Sequence, residues 1–321
     1  MPSHESVIAA RARIAPFVRH TPLLPVPHLR DDLPAALRLK LENLQVTGSF
    51  KARGVFNHLL QLDAAGRARG VVAASGGNHG LAVAYGAWRL GIDATVCIPA
   101  TASADRTARI AAWGARVVHE GSAFDDAYRI ATQIAAAEDR YMIHPFDDPL
   151  TVEATGTLGL ELLDDLPDLD CVLIACGGGG LLAGMAAAIK QAKPAVRIIG
   201  VEPTGAPAML RAVAAGQVVQ IAPQTIADTL APRAVSELTR SLSAQYVDEI
   251  VLVSDDAMVA AMRWLWISAN QLVEPAGAAV IAALQTGVVD ITPHRCPVAL
   301  ICGGNADAAP VFAAYQAAAM R

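Results

Sequence analysis

Several short motifs in this chain set reactive side chains beside glycine-rich backbone. Thr47-Gly48-Ser49-Phe50-Lys51-Ala52-Arg53-Gly54 places a lysine at the start of a helix, after a turn. The positive end of a helix dipole disfavours a cation and helps lower the lysine pKa. A neutral lysine amine is a nucleophile and a base, as imine formation requires. The spacing alone fits better an exposed lysine that follows a loop. Cys176-Gly177-Gly178-Gly179-Gly180 lies between an apolar run and a helical one. Consecutive glycines let N–H groups converge on one point, and the helix N-terminus adds positive potential, so the loop reads as a phosphate cradle. A tight strand-to-helix turn by itself seldom needs four glycines in succession.

Ser75-Gly76-Gly77-Asn78-His79-Gly80 is a second strand-to-helix turn, able to hold a carboxylate or phosphate, with an amide at Asn78 that can orient a ring oxygen. His79, in the first turn of a helix, reads as a packing or capping residue rather than a catalytic base. Cys302-Gly303-Gly304-Asn305 follows an apolar run, where Cys302 taken alone is a buried thiol. Glu274-Pro275-Ala276-Gly277 opens a helix, and its acid suits either the helix dipole or a site.

The elements that must position these motifs alternate. Strands are expected at 37–42, 70–75, 94–99, 115–120, 141–144, 171–176, 196–202, 249–254 and 297–302. Helices fall between them at 50–62, near 102–112 and 122–138, at 151–163 and 181–192, and near 255–269 and 276–285, with a last one at the C-terminus. This pattern predicts an α/β chain with two open parallel sheets and a ligand cleft between them. The expected division is a small domain at 69–147 and a large one made of 1–68 and 148–321. The segment 203–248 is the least periodic.

Composition narrows the class. In 321 residues, 54% are hydrophobic and 17% charged, enough apolar material for buried sheets. A net charge of −5 without a run of one sign argues against nucleic acid. Five cysteines, at positions 97, 171, 176, 296 and 302, are odd in number and lack metal-type clustering, as in reduced cytosolic proteins. Residues 171–189 carry no charge, but four glycines interrupt them and Asp170 and Lys190 bound them, so a strand, loop and helix are expected rather than a membrane span. No apolar signal core opens the chain, and a cytoplasmic location is expected.

A rival reading starts from the same glycine loop. Gly178, Gly180 and Ala183 fit a dinucleotide fingerprint, and Glu202 ends the next strand where a ribose-binding acid belongs. A nicotinamide-dependent dehydrogenase would leave the lysine motif, the Asn78 loop and the Cys302 motif without a task.

The ordered series TGSFKARG, SGGNHG, GTLGLELL, CGGGGLLAG, VEP, TIAD, EPAGA and CGGN resembles the serine/threonine dehydratase and serine racemase family over nearly the whole chain. These are pyridoxal-phosphate (PLP) enzymes of the tryptophan-synthase-β-like fold (fold type II). The resemblance implies that Lys51 carries the cofactor as a Schiff base and later removes the substrate α-proton. Phe50 would pack beside the cofactor ring, and Asn78 would bond its hydroxyl. Gly177, Gly178, Gly179, Gly180 and Leu181 would bind its phosphate, and Cys302 would face the pyridine nitrogen. Ser75, Gly76, Gly77, Asn78 and His79 would hold the substrate carboxylate. The implied activity is dehydration of L-threonine or L-serine to a 2-oxo acid and ammonia, with racemisation or 3-hydroxyaspartate cleavage as variants. The cofactor phosphate would protonate the departing hydroxyl, and a homodimer is implied.

Three departures matter. Gly76 stands where serine racemases carry a second serine that reprotonates the opposite face, so dehydration is expected over racemisation. Ala208 stands six residues after Glu202, where metal-binding relatives place an acid, leaving at most a weak cation site at Glu202 and the Ala206 carbonyl. No regulatory domain follows, so feedback by a branched-chain amino acid through a built-in domain is not expected.

Overall fold

A computed structural model describes residues 2–25, 33, 36–100, 102–121 and 124–306. The expected C-terminal helix lies outside them. In chain order, α1 (His4–Ile14), β1 (Leu23–Pro25) and β2 (Arg38–Leu41) lead to α2 (Lys51–Leu59) and α3 (Ala64–Arg69). An alternating block follows: β3 (Val71–Ala74), α4 (Asn78–Leu90), β4 (Ala94–Ile98), α5 (Ala104–Ala111), β5 (Arg116–His119), α6 (Phe124–Glu138) and β6 (Tyr141–Met142). Next come α7 (Pro149–Asp165), β7 (Cys171–Ala175), α8 (Gly180–Ala192), β8 (Arg197–Pro203), α9 (Ala208–Ala215) and α10 (Glu237–Tyr246). β9 (Glu249–Val253), α11 (Asp255–Ala269), α12 (Pro275–Gln285) and β10 (Pro297–Ile301) complete the described elements.

The strands form a six-stranded sheet, β1-β2-β10-β7-β8-β9, and a four-stranded one, β5-β4-β3-β6. Every pairing is parallel except β1 with β2, where Leu23 sits opposite Lys40. An antiparallel edge on an otherwise parallel sheet is a common variation. β3, β7 and β10 are buried along their whole length, which is why they read as continuous apolar runs. Each fully buried Val, Leu or Ile there contributes roughly 1.5–3 kcal/mol relative to exposure.

Local chemistry sets the boundaries that position the site. The helix expected at 50–62 stops at Leu59, and α3 starts separately because the Asp63 side chain accepts from the Gly66 N–H. Helix α7 begins two residues earlier than expected, with Pro149 in its first turn and Asp148 accepting from the Leu150 N–H. The weakly periodic stretch holds two helices, α9 and α10. The cap of α10 is a reciprocal pair, Ser236 with Thr239, rather than the more recognisable Ser–Glu pattern. α2 bridges the halves: Val55 and Leu59 join the core under the four-stranded sheet, while Phe56 packs with Ile14 of α1.

Candidate active site

The carboxyl ends of β2, β3, β7 and β10 lead into one cavity of about 550 Å³ between the two sheets. Such strand ends are where ligands bind in open α/β sheets. Phe50, Lys51, Ser75 to His79, Gly177 to Leu181 and Cys302 all line it, so the structure brings every expected cofactor and substrate residue together.

Lys51 is the first residue of α2 and is held by a clip between two chain segments. The Phe50 N–H donates to the Cys302 carbonyl (3.2 Å), the Gly304 N–H donates to the Gly48 carbonyl (2.8 Å), and Ser49 bridges to Gly303. The amine, Nζ, donates to the Pro145 carbonyl at 2.7 Å and lies 4.9 Å from the centre of the Phe50 ring. Burial lowers its pKa to about 8, although Cys302 and Glu274 pull the other way. Desolvation therefore dominates, where the sequence suggested the helix dipole.

The glycine loop is shaped by close approach. Gly179 has φ +89° and caps α8, so that the N–H groups of Gly180 and Leu181 in the first turn have no intrahelical acceptor. A Cβ on Gly178 would sit 2.3 Å from the Phe146 ring, and one on Gly177 would sit 2.8 Å from the Thr229 carbonyl. The Thr239 hydroxyl donates to the Gly178 carbonyl (2.9 Å) and the Thr155 hydroxyl to the Gly180 carbonyl (2.8 Å). Two threonines thus hold the loop's carbonyls, and its amides form an anion cradle.

Across the cavity, Asn78 opens α4. Its amide nitrogen donates to Glu274 Oε1, and its amide oxygen accepts from Asn305 Nδ2 at 2.6 Å. Glu274 precedes α12 but makes no capping bond; burial raises its pKa to about 7. Its carboxylate therefore serves the site. Burial also pushes the Cys302 thiol well above its ordinary pKa, so it stays neutral. His79 bonds the Ile143 carbonyl through Nε2 (2.9 Å) and is held neutral by burial, consistent with a packing role for its ring. His144 accepts the Asp147 N–H (2.7 Å), and burial lowers its pKa to about 4.

Glu202 and Ala206 have backbone partners of their own. Glu202 is fully buried, and its two oxygens accept the Met209 and Leu210 N–H groups (2.8 and 2.9 Å) at the start of α9. The Ala206 carbonyl accepts the Ala208 N–H at 3.0 Å. Glu202 thus caps α9, and its oxygens and the Ala206 carbonyl already accept backbone N–H groups. Among the described residues, the cluster with metal-ligand spacing is His20, Glu161 and Asp165. The ammonium of Lys40 already bonds both acids there, at 2.7 Å each.

The sequence did not single out Phe146, Thr155 or Thr239, and it left Glu274 undecided. The threonines act through loop carbonyls distant in sequence, and no local motif marks them. The cavity fits PLP on its own terms: a glycine loop whose neighbours leave no room for a Cβ, a buried low-pKa amine, and an amide and a neutral thiol in the same cavity.

The family of pyridoxal-phosphate dependent enzymes matches residues 14–303, and the chain belongs to it. It is therefore a PLP enzyme. It is 41% identical to a phenylserine dehydratase of Ralstonia pickettii, over 96% of this chain and 95% of that one. It is 37% identical to an L-threonine ammonia-lyase of Thermotoga maritima, over 94% of this chain and 75% of the other. The solved structure of maize serine racemase superposes with a TM-score of 0.92 at 29% identity, covering 99% and 98% of the two chains. The dinucleotide reading of the glycine loop is thereby set aside. No helix among the described residues is long and apolar enough to cross a membrane.

Proposed function

We propose that this PLP-dependent ammonia-lyase dehydrates small β-hydroxy-α-amino acids, L-threonine and L-serine first, to a 2-oxo acid and ammonia. The observation that carries the reading is the buried Lys51 amine, with a pKa near 8, facing the glycine cradle across one cavity. When bound, PLP supplies an electron sink for the carbon from which the α-proton leaves. Lys51 anchors it and, with its lowered pKa, has a larger neutral fraction near pH 7.5 to take that proton. Gly177 to Gly180 and Leu181 hold the phosphate through backbone N–H groups. Phe50 flanks the ring, and Asn78, oriented by Glu274 and Asn305, bonds its hydroxyl.

The loop from Ser75 to His79 receives the substrate carboxylate at the N-terminus of α4, where the helix dipole favours an anion. Cys302, which would face the ring nitrogen, is a weak hydrogen-bond partner and carries no charge, so it would not hold that nitrogen protonated as a carboxylate would. A neutral Cys302 there would favour elimination of the β-hydroxyl over transamination. Gly76 offers no acid on the face opposite Lys51, which disfavours racemisation.

The chain is read as a cytoplasmic homodimer. Its five free thiols suit a reducing compartment. Trp266, Ile267 and Val259 of α11, with Leu272 beyond it, leave a large apolar surface for a second copy. Light scattering of wild type and Trp266→Glu tests this; a monomeric wild type rules it out.

The test of function is ammonia and 2-oxo acid release from L-threonine, L-serine, threo-phenylserine and the 3-hydroxyaspartates with PLP supplied. Turnover of L-threonine or L-serine above the others is expected. A colourless protein that stays free of PLP, or one that binds PLP and turns over none of them, would overturn the reading.

A further inference from the structure

Helix α5 belongs to the β4–α5–β5 unit of the four-stranded sheet, yet two of its side chains reach the other half of the molecule. Arg106 and Arg109 are one turn apart and share a face. Arg106 pairs with Asp228, at the cavity mouth, and both line the cavity. Arg109 donates through Nη2 to Asn305 Oδ1, behind the cavity wall. Asn305 is fixed twice more: its amide nitrogen donates to the Thr47 carbonyl (2.8 Å) and to Asn78 Oδ1 (2.6 Å). The backbone makes room for the arrangement. Gly48 has φ +74°, and a Cβ there would lie 2.6 Å from Asn305 Oδ1. A Cβ on Gly303 would lie 2.3 Å from Glu274 Oε1, on the other side of Asn78.

A chain of contacts thus runs from Arg109 through Asn305 to Asn78. An amide has one acceptor and one donor end, and a rotated Asn305 presents its oxygen to the Asn78 oxygen. Arg109, a donor only, forbids that rotation by claiming Asn305 Oδ1. Arg106, by contrast, pairs with the Asp228 carboxylate.

We propose that α5 is a two-arginine clasp across the cleft, in which Arg109 is a positioning residue that fixes, through Asn305, the orientation in which Asn78 meets the cofactor ring. The proposal rests on the reading of Asn78 as the ligand of the ring hydroxyl. Arg106, paired with Asp228, holds the same helix closed over the mouth and acts on substrate entry and retention.

The test compares Arg109→Met, Arg109→Lys and Arg106→Met by PLP titration, visible absorbance of the bound cofactor, and separate kcat and KM for L-threonine. Arg109→Met is expected to weaken PLP binding about tenfold, move the absorbance maximum, and lower kcat about tenfold with KM changed less than about threefold. Arg109→Lys keeps a donor and should recover the wild-type absorbance maximum. Arg106→Met is expected to raise KM and leave the maximum in place. Asn305→Ala removes the same link from its other end, so it reads the proposal if Arg109→Met fails to fold, and the two losses should not add. Wild-type absorbance and PLP affinity in both Arg109→Met and Asn305→Ala would overturn the clasp alone. A wild type that takes up no PLP would overturn the reading of the site and the clasp with it.

Discussion

The glycine loop and the Asn78 loop face each other across one cavity, and both are strand-to-helix turns, but they are held in different ways. The glycine loop takes its shape from backbone, a left-handed Gly179 and glycines against which Phe146 and Thr229 press, while Thr239 and Thr155 hold its carbonyls. Its partners come from elements packed around the six-stranded sheet. The Asn78 loop rises from the four-stranded sheet and is oriented by side chains, Glu274 and Asn305, carried by the other half. A phosphate needs only converging amides, which glycines provide. A ring hydroxyl needs one polar atom at one angle, and that takes a network. Half of the site is therefore set by local conformation, and the other half by the fit between the two sheets.

Lys51 belongs to both halves, and its removal should have the largest effect. Lys51→Ala is expected to lower 2-oxo acid formation about 10³-fold or more, on the proposal that one amine is both anchor and base. Borohydride should fix the cofactor to wild type and not to this variant. Retention of more than about a tenth of the activity would remove Lys51 from the centre of the site.

The two loops should then separate under one substitution. Gly179→Ala forces a side chain into a left-handed conformation, at a cost of about 1–3 kcal/mol, and sets its Cβ 2.3 Å from Met209 Cε. PLP affinity should fall about 10- to 100-fold. Gly77→Ala has negative φ, and its Cβ meets Thr229 Cγ2 at an ordinary 3.5 Å. PLP affinity there should change less than about threefold. Equal losses in a cofactor titration would erase the distinction between a backbone-built and a side-chain-built half.

Legibility in the sequence follows the same division. Lys51, the four glycines and the apolar strands carry local signals, because φ freedom, helix starts and buried runs each leave a mark within a few residues. Glu274 was undecided, since a Glu-Pro pair opens a helix whether or not its carboxylate serves a site; only its bond to Asn78, 196 residues away, decides. Thr239 lay in the segment with the weakest periodicity, and nothing near it points to Gly178, 61 residues back. Glu202 stayed open because a strand-end acid looks the same whether it binds a ribose, a cation or the start of the next helix.

The side-chain-built half should also show in the pH dependence of stability. Burial raises the Glu274 carboxyl from 4.5 to about 7, so the folded protein keeps a proton that the unfolded chain has released. Stability from this group is fully present below pH 4.5 and is lost as pH rises through 7. Glu274→Gln keeps an acceptor for Asn78 and removes the titration. Its unfolding free energy should match wild type near pH 4.5 and exceed it above pH 7, by an amount on the order of 3 kcal/mol at most. Parallel curves for the two proteins from pH 4.5 to 7.5 would show that Glu274 is ionised at no unusual cost.

The smallest effect expected comes from Gly76, where the Asn78 loop lacks an acid. A Cβ at this position would lie 3.4 Å from Ala102 Cβ and 3.7 Å from Ile98 Cβ, ordinary contacts that leave the loop undisturbed. Gly76→Ser should therefore fold with a stability change within about 1 kcal/mol. The new hydroxyl adds a proton donor across from Lys51 while Cys302 stays neutral, so elimination keeps its advantage. D-serine from L-serine, measured by chiral chromatography, should rise a few-fold and remain a minor product beside pyruvate. If D-serine does not rise although cofactor binding and dehydration are intact, then the missing acid is not what bars racemisation. The bar would then lie in how the Asn78 half would hold the cofactor ring.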